Sequence, residues 1–224
     1  MKTGLLTALA AAICWAGPLE DFRDRQDRQA LERAAETARA GAEKRQDAAS
    51  FRALALAYSY LAEVAQETGD KAVVRDAAGA GIRAAERAVA LEPESAENRR
   101  LLGTLCGQIV PANVLAGLKY GKRAREELER AIELDPRSAM AYVSRGVGNY
   151  YLPKAFGGGI DLAIEDFEKA IALDANLHEA HLWLGIALRR ANRNPEARKA
   201  LETAVRLNPQ RVWAKQQLEK TPAT

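Results

Sequence analysis

The stretch AHLWLGIALRRANRNPEARKALETAVRLNP, residues 180–209, decides the fold. His181, Leu184, Gly185 and Leu188 fall on one helical stripe, because spacings of three and four residues return to the same face. A second stripe follows at residues 197, 201 and 204, and the ANRNP segment between the stripes has turn chemistry. The small residue in each stripe lets two backbones approach closely. The stretch therefore predicts two short antiparallel helices that interlock.

The same pattern recurs towards the N-terminus. Its closing prolines are Pro93, Pro136 and Pro209, and Ala175 takes the place of a proline between the last two. Self-similarity of this kind predicts a solenoid in which each helix pair buries its apolar face against its neighbours. The positions where helices must approach closely are all Gly or Ala: Ala55, Gly81, Gly103, Ala124, Gly146, Ala163, Gly185 and Ala197.

These units resemble the tetratricopeptide repeat, a helix–turn–helix unit of about 34 residues. The interval from Ala175 to Pro209 is 34 residues. The resemblance predicts an all-α helical-repeat solenoid with about four antiparallel helix pairs in one domain. Terminal repeats need polar outer faces, so each end should carry a capping helix. The predicted divisions are a leader at 1–16, a capping helix within 17–47, repeats at 48–95, 96–138, 139–177 and 178–211, and a capping helix with a tail at 212–224.

The first three repeats are longer than the family unit. The interval from Pro93 to Pro136 is 43 residues, and that from Pro136 to Ala175 is 39. We place the extra residues in the turn between the two helices of each repeat, so that three expanded turns line one edge of the solenoid. A longer helix or a solvated turn is the alternative. The expanded-turn candidates for a ligand or partner site are Tyr120, Phe156, Gly157 and Gly158.

The apolar residues of these turns suggest that they form a packed layer. If the layer only packs, Phe156 should be buried and its removal should lower stability. If it is a binding surface, Phe156 should be at least partly exposed. The residues expected to bury one another are Val110, Val114, Leu115, Leu118, Tyr120, Leu152 and Phe156.

The first residues have the features of a signal peptide. Lys2 precedes the apolar run GLLTALAAAICWA, and small residues at Cys14 and Ala16 suit cleavage after Ala16. A retained anchor or lipid attachment at Cys14 is the alternative. The pattern predicts a periplasmic or secreted protein, and no other segment approaches the length of a membrane span.

Composition excludes some classes of function. The 33 basic residues are nearly balanced by 30 acidic ones, which is not the pattern of a nucleic-acid-binding protein. With Cys14 removed, Cys106 has no partner for a disulfide within the chain and is expected to be a buried structural thiol. Without a disulfide framework, the protein is expected to be held together by helix packing alone.

Candidate catalytic chemistry is sparse. His178 and His181 lie three residues apart in an HExH arrangement, which lacks both the zinc-protease spacing and a third ligand. The segment Phe156–Gly159 precedes a helix but lacks the preceding strand and the following Lys-Ser/Thr of a phosphate-binding loop. We therefore predict a protein that is not an enzyme and uses no cofactor or metal.

Proteins similar to the tetratricopeptide family bind peptides or proteins on the concave face, which the first helices line. The resemblance implies that this face is apolar and aromatic in the later repeats and favours an extended apolar peptide or an amphipathic helix. A homo-oligomer is compatible with the same surface. The partner-binding candidates are Arg52, Arg100, Val143, Val147, Tyr150, Tyr151, Leu182, Ile186, Arg189 and Arg190.

A second, weaker resemblance is to the periplasmic T-components of TRAP-type uptake systems. It rests on the repeat architecture together with Tyr150–Pro153 and Phe156–Gly158. This resemblance implies an accessory protein that acts beside a solute-binding protein, with a small apolar ligand near the expanded turns. It is the alternative to a general protein-binding scaffold.

Overall fold

The structure, a computed structural model, describes residues 16–110 and 114–223, with the backbone alone described for residues 16–18 and 114–119. The signal-peptide prediction falls almost entirely on residues outside this part of the chain. Within the described part there is no strand, and the helices are α1 (Ala16–Asp24), α2 (Arg28–Arg45), α3 (Ala48–Thr68), α4 (Lys71–Leu91), α5 (Ala96–Ile109), α6 (Val114–Leu134), α7 (Ala139–Tyr151), α8 (Ile160–Leu173), α9 (His178–Arg190), α10 (Asn194–Leu207) and α11 (Val212–Glu219).

The helices form the predicted all-α solenoid. The four most extensive helix contacts are α3 with α4, α5 with α6, α7 with α8 and α9 with α10. Each pair then packs against the first helix of the next pair, as a stacked repeat requires. The fold class and the four helix pairs are confirmed.

The helix starts follow from short polar residues in the sequence. The side chains of Asp47, Ser95 and Ser138 each accept a hydrogen bond from the backbone N–H three residues further on. Such N-caps satisfy a donor that the first turn of a helix leaves unpaired. Because each cap comes just before an apolar-periodic segment, the sequence places the first helices of three repeats.

The small residues at the helix crossings are needed for close contact. A Cβ added at Gly185 would lie 2.5 Å from Leu201 Cγ and 2.9 Å from the Ala197 carbonyl oxygen. The equivalent atom at Gly103, two repeats earlier, would lie 2.7 Å from Leu128 Cγ. The last stretch of sequence therefore describes a packing geometry that the second repeat shares.

The prediction of an expanded turn is wrong for the first repeat. There the extra residues lengthen both helices, so that α3 and α4 each have 21 residues and are joined at Gly69 and Asp70. Gly69 takes a positive φ of 82°, and the Asp70 side chain accepts from the Val73 N–H to start α4. The apolar residues after this cap, such as Val74 and Ala78, have helical spacing and become buried in the pair.

The second and third repeats differ from each other. In the second, residues 114–121 of the predicted turn belong to α6, which also has 21 residues. In the third, an expanded turn is present: residues 152–159 contain a short 3-10 turn, Lys154–Phe156, between α7 and α8. Only one of the three predicted expanded turns is therefore a loop in the described chain.

The packed layer predicted for these turns is wrong at its central residue. Phe156 is 73 % exposed, although Leu152 and Tyr120 are partly buried. The described extra residues of repeats one and two belong to the helices α3, α4 and α6, so they do not form the loops that the predicted layer required.

The N-terminal cap consists of two helices where one was expected. The chain turns at Arg25–Asp27, and Gln26 has a positive φ of 55°. The Asp27 side chain then accepts from the Ala30 N–H and starts α2. This turn lets α1 and α2 both pack on α3, with Leu19 and Leu31 buried.

The buried apolar residues form two clusters. One fills the interior of α1 to α6, and the other fills the interior of α7 to α11. We call these parts the N-half (residues 16–134) and the C-half (residues 139–223). The halves join where α7 packs against α5 and α6. Among the described residues, no helix is both long and apolar enough to cross a membrane.

Candidate functional site

A cleft of about 360 Å³ lies on the concave side of the solenoid. Its walls come from the first helices of all four repeats, α3, α5, α7 and α9, and from α6 and α11. Residues of both halves therefore face each other across it. Leu56, Tyr60 and Val147 supply apolar surface, while Ser59, Thr104 and Gln108 supply hydroxyl and amide groups.

Four of the ten predicted partner-binding residues line this cleft: Arg100, Val143, Val147 and Tyr151. Tyr151 is the most accessible, at 41 % exposure. Arg100 is mostly buried, donates to Glu97 at 2.7 and 2.6 Å, and lies 3.4 Å from the Ser144 hydroxyl. The predicted residues that line the cleft therefore come mainly from α7. The helix α5 contributes Arg100, whose charge is neutralised by Glu97.

Two predicted residues, Leu182 and Ile186, are buried in the core of the C-half. Arg52 is half-buried and lies near Glu92 and Asn98, outside the cleft lining. The periodic pattern placed these side chains on the concave side of their helices. Packing against adjacent helices removes them from an accessible surface.

Arg189 and Arg190 hold the structure together at the C-terminal end. Arg189 donates to the Gln217 side chain at 2.6 Å, to the Gln217 carbonyl at 3.1 Å and to the Thr221 hydroxyl at 3.1 Å. Arg190 donates to the Tyr150 carbonyl at 2.9 Å and lies 4.7 Å from the centre of the Tyr150 ring. Neither arginine nor Tyr150 lines the cleft.

The aromatic wall of the cleft was not predicted as a site. Trp183 and Trp213 both line the cleft, with ring centres 5.1 Å apart. Trp183 also contacts Tyr151 at 6.3 Å and stacks on the buried Phe167 at 6.3 Å. The available signal was the presence of two tryptophans in the last repeat and its cap. Aromatic side chains of this kind often supply the large contact area of a binding site.

The cleft is bordered by a network of buried charges centred on Arg211. The Arg211 side chain is fully buried and donates to Glu63 at 2.7 Å, to Glu179 at 3.1 Å and to Glu67. Arg23, also buried, pairs with Asp24 at 2.7 Å and with Glu179 at 3.3 Å. We call these six residues the end-to-end network, because they come from α1, α3, α9 and the residue before α11.

Neutral side chains extend this network. Asn208 donates to Asp24 at 2.6 Å and lies 3.2 Å from His178 Nε2. Gln26 donates to Glu67 at 2.8 Å. These three contacts join residues that are distant in sequence, and the one between Asn208 and Asp24 joins the two halves. Sequence reasoning missed the network, since no local pattern marks Arg211 or Glu63.

The charges of the network are unbalanced, with four carboxylates and two guanidinium groups. Burial raises the pKa of Glu63 to about 7, against the lowering effect of Arg211 and Arg23. Glu179 lies between both arginines, which hold its pKa at about 2 although burial opposes them. The Glu63 side chain keeps 22 % exposure and lines the cleft, so its carboxyl is the one that can exchange a proton with solvent.

The expanded turn of the third repeat lies beside the cleft and contacts α6 and α8 through polar side chains. Arg125 donates to the carbonyl oxygens of Phe156 and Gly157 at 3.1 and 2.8 Å, and Lys154 pairs with Asp161 at 2.8 Å. Gly157 has a positive φ of 80°, which favours glycine. Gly158 is buried against Leu152, whereas Phe156 and Gly157 are exposed, so Phe156 is the predicted candidate of this loop with an exposed side chain.

The two histidines and the described cysteine have structural surroundings. His178 lies beside Asn208, and its pKa is lowered by burial. His181 Nε2 lies 3.0 Å from the Ala175 carbonyl oxygen. Cys106 is fully buried, and burial raises the pKa of its thiol to about 12, which suppresses the reactive thiolate.

Stacked helix pairs around a concave cleft define the protein as a tetratricopeptide-type solenoid. A tetratricopeptide repeat model matches residues 158–218. A model described as "Regulator of microtubule dynamics protein 1-3" matches residues 19–154, more than half of the chain. The chain belongs to this family. No curated protein matches it.

Solved structures support the fold. The chain is similar to TTC0263, a thermophilic TPR protein in Thermus thermophilus, with 19 % identity and a TM-score of 0.63 over 91 % of this chain and 98 % of that one. YrrB, a TPR protein described as having an unusual peptide-binding site, is 20 % identical, with a TM-score of 0.48 over 93 % of this chain and 100 % of that one. The similarity to TTC0263 establishes the fold alone. The fold is one that generally serves protein-interaction scaffolds without catalysis.

Proposed function

We propose that this protein is a non-catalytic scaffold that binds a segment of a partner protein or peptide in the concave cleft. The observation that carries the proposal is the composition of the cleft: aromatic and aliphatic walls with a few hydroxyl, amide and charged groups. Binding sites in proteins are typically concave, mostly apolar and fitted with a few polar groups that fix orientation.

The size of the cleft favours an extended segment. Its volume of about 360 Å³ accommodates apolar side chains that project from an extended chain. An amphipathic helix has a diameter of about 10–12 Å with its side chains, which requires more space over two turns. We therefore favour an extended apolar segment as the occupant, in which large side chains contact Trp183 and Trp213.

A displayed peptide library, selected on the immobilised protein, tests this proposal. The affinity of the selected peptides is measured by fluorescence anisotropy. Val147→Glu places a charge in the cleft and should weaken binding by about tenfold or more. Leu91→Glu is the matched control, since Leu91 is 48 % exposed and lies outside the cleft. Equal affinities of Val147→Glu and the wild type would place the binding site elsewhere.

The family description gives microtubules as a candidate partner for a second measurement. Co-sedimentation with stabilised microtubules should show binding that Val147→Glu reduces and Leu91→Glu does not. Pelleting that is insensitive to Val147→Glu would separate microtubule binding from the cleft. Absence of pelleting would remove microtubules as a partner while leaving the peptide measurement valid.

Export remains a prediction from the sequence, as does the alternative role beside a solute-binding protein. Cleavage after Ala16 would leave a chain that begins at Gly17, within α1. N-terminal sequencing of the protein purified from its native cells checks this prediction. An intact Met1 would contradict it.

A further inference from the structure

Polar side chains join the two halves of the solenoid across the cleft. The end-to-end network joins Glu63 and Glu67 of the N-half to Arg211 of the C-half. Gln66 donates to the Tyr151 hydroxyl at 2.9 Å from the opposite wall. Arg100 and Thr104 contact the Ser144 hydroxyl at 3.4 and 3.0 Å.

The interior of each half is held differently. Buried apolar clusters fill both halves, and the clusters remain separate at the junction of α6 and α7. At that junction Leu128, Ala131 and Ala141 are buried but belong to neither cluster. The polar groups that join the halves can exchange their partners for water, and this reduces the net free energy of separation.

The end-to-end network is also strained by its own charge. Two guanidinium groups neutralise only two of the four carboxylates Asp24, Glu63, Glu67 and Glu179. Like charges at short range and low dielectric repel strongly. The closed arrangement is therefore stabilised by Arg211 and opposed by the excess carboxylate. Such a balance is suited to a contact that opens and closes.

We infer that the end-to-end network is a latch that closes the solenoid over the cleft, and that a partner segment enters when the latch opens and the halves rotate apart at the α6–α7 junction. The inference rests on the proposed use of the cleft as a binding site. The latch is autoinhibitory, because the residues that close it also restrict access to the aromatic wall.

Two variants should act in opposite directions. Arg211→Gln leaves the carboxylates with one guanidinium group and should open the latch. Glu63→Gln removes an excess negative charge and should favour the closed form by about tenfold at pH 8. A salt bridge that served only stability would be loosened by both changes, so opposite effects identify a latch.

The opening is measured as a distance between spin labels at Lys71→Cys and Lys215→Cys, which are exposed on α4 and α11. Cys14→Ser removes the second reactive site, and the buried Cys106 stays native. Arg211→Gln should lengthen and broaden the distance distribution with unchanged helix content. Glu63→Gln should narrow it, and Arg206→Gln, at an exposed arginine of α10, should leave it unchanged.

Access to the cleft is measured with the uncharged dye N-phenyl-1-naphthylamine. Its association rate should rise about fivefold or more in Arg211→Gln and fall in Glu63→Gln. A folded Arg211→Gln protein with the wild-type distance distribution overturns the latch. If Arg211→Gln does not fold, the Glu63→Gln variant provides the test. An association rate of the dye that is equal to or faster than that of the wild type overturns the inference.

The two proposals fail separately. If the distances respond as expected but the selected peptides are insensitive to Val147→Glu, the latch stands as a conformational device and the proposed binding site is wrong. If peptides bind the cleft while the distances never change, the binding site stands and the latch is wrong.

Discussion

The α9–α10 crossing and the end-to-end network are both buried contacts between helices. The crossing consists of apolar groups, whereas the network consists of charged groups. At the crossing, Gly185 lies under Leu201 and against Ala197, in a region without charge. At the network, the fully buried Arg211 lies among Glu63, Glu67 and Glu179. The first contact joins neighbours in sequence, whereas the second joins residues 148 positions apart.

The two contacts differ in the interactions with water that their groups gain when the contact breaks. Separated apolar groups regain nothing from water, so the full burial free energy is lost. Separated charges recover their hydration, which offsets much of the interaction they give up. Burial alone therefore does not rank these two contacts by strength. The chain combines rigid units with a junction that can open.

The largest expected effect is on the apolar side of this comparison. Phe167 is fully buried in the C-half, stacks on Trp183 and lies against Gly146. Phe167→Ala should lower the free energy of unfolding by about 3–5 kcal/mol, because it removes a large side chain and leaves a cavity. Urea denaturation followed by circular dichroism measures it. A loss below about 1 kcal/mol would contradict the packing described for this half.

A smaller loss is expected when a helix crossing is overfilled. Gly185→Ala puts a methyl group into contact with Leu201 and the Ala197 carbonyl and should cost about 1–3 kcal/mol. Gly79→Ala is the matched control, since a Cβ there meets only Arg83 Nη1, at 3.8 Å. The control should gain up to about 1 kcal/mol in the free energy of unfolding, because glycine in a helix interior is less favourable than alanine. Equal effects of both changes in thermal unfolding would show that the crossing is not tight.

The charged side of the comparison predicts a dependence on pH. The pKa of Glu63 is raised from 4.5 to about 7 in the folded chain by burial, so its ionisation costs stability as the pH rises through this interval. The charged and titratable groups around it are Arg23 from α1, Tyr60 and Glu67 from α3, Arg100 from α5, Glu179 from α9, and Arg211.

Glu63→Gln removes this titration. Relative to the wild type, the variant should gain about 1–2 kcal/mol of stability between pH 5 and pH 8. Comparison of the two proteins at each pH cancels the titration of His178, whose pKa is shifted the opposite way, below its ordinary value. A stability difference that is constant from pH 5 to pH 8 would exclude a raised pKa at Glu63.

The smallest effect is expected at the expanded turn of the third repeat. Phe156 is 73 % exposed, so Phe156→Ala should change the free energy of unfolding by no more than about 0.5 kcal/mol. Thermal unfolding measures the change. A loss of several kcal/mol would restore the packed layer that the apolar sequence of the turns suggested. Changed affinity for the selected peptides with unchanged stability would make this side chain part of a binding surface.

The fold was largely predictable because its signals are local. Helix pairs are specified by spacings of three and four residues, by small residues at positions 185 and 197 and by the prolines that close three of the four repeats. None of these signals refers to distant parts of the chain. The turns were less predictable. After Asp70 and before Tyr120, apolar residues with helical spacing extend α4 and α6, and an insertion within a helix looks in sequence like an insertion between helices.

The candidate site was predictable only in part, for a reason that applies to Tyr151 and Ile186 alike. Both lie on the concave side of their helices by periodicity, but Tyr151 lines the cleft and Ile186 is buried. Periodicity gives the direction in which a side chain points. The position of the neighbouring helix decides whether that direction leads to solvent or to another side chain.

The sequence by itself determined the helices, their pairing and the small residues at which they cross, because these depend on interactions between near neighbours. Only the tertiary structure decided that Arg211 would meet Glu63 and that Trp183 and Trp213 would line one cleft. Each repeat adds a small rotation to the solenoid, and the sum of these rotations fixes where the ends lie. No single repeat encodes that sum, so the closure of the ends could not be predicted from the pattern of any one of them.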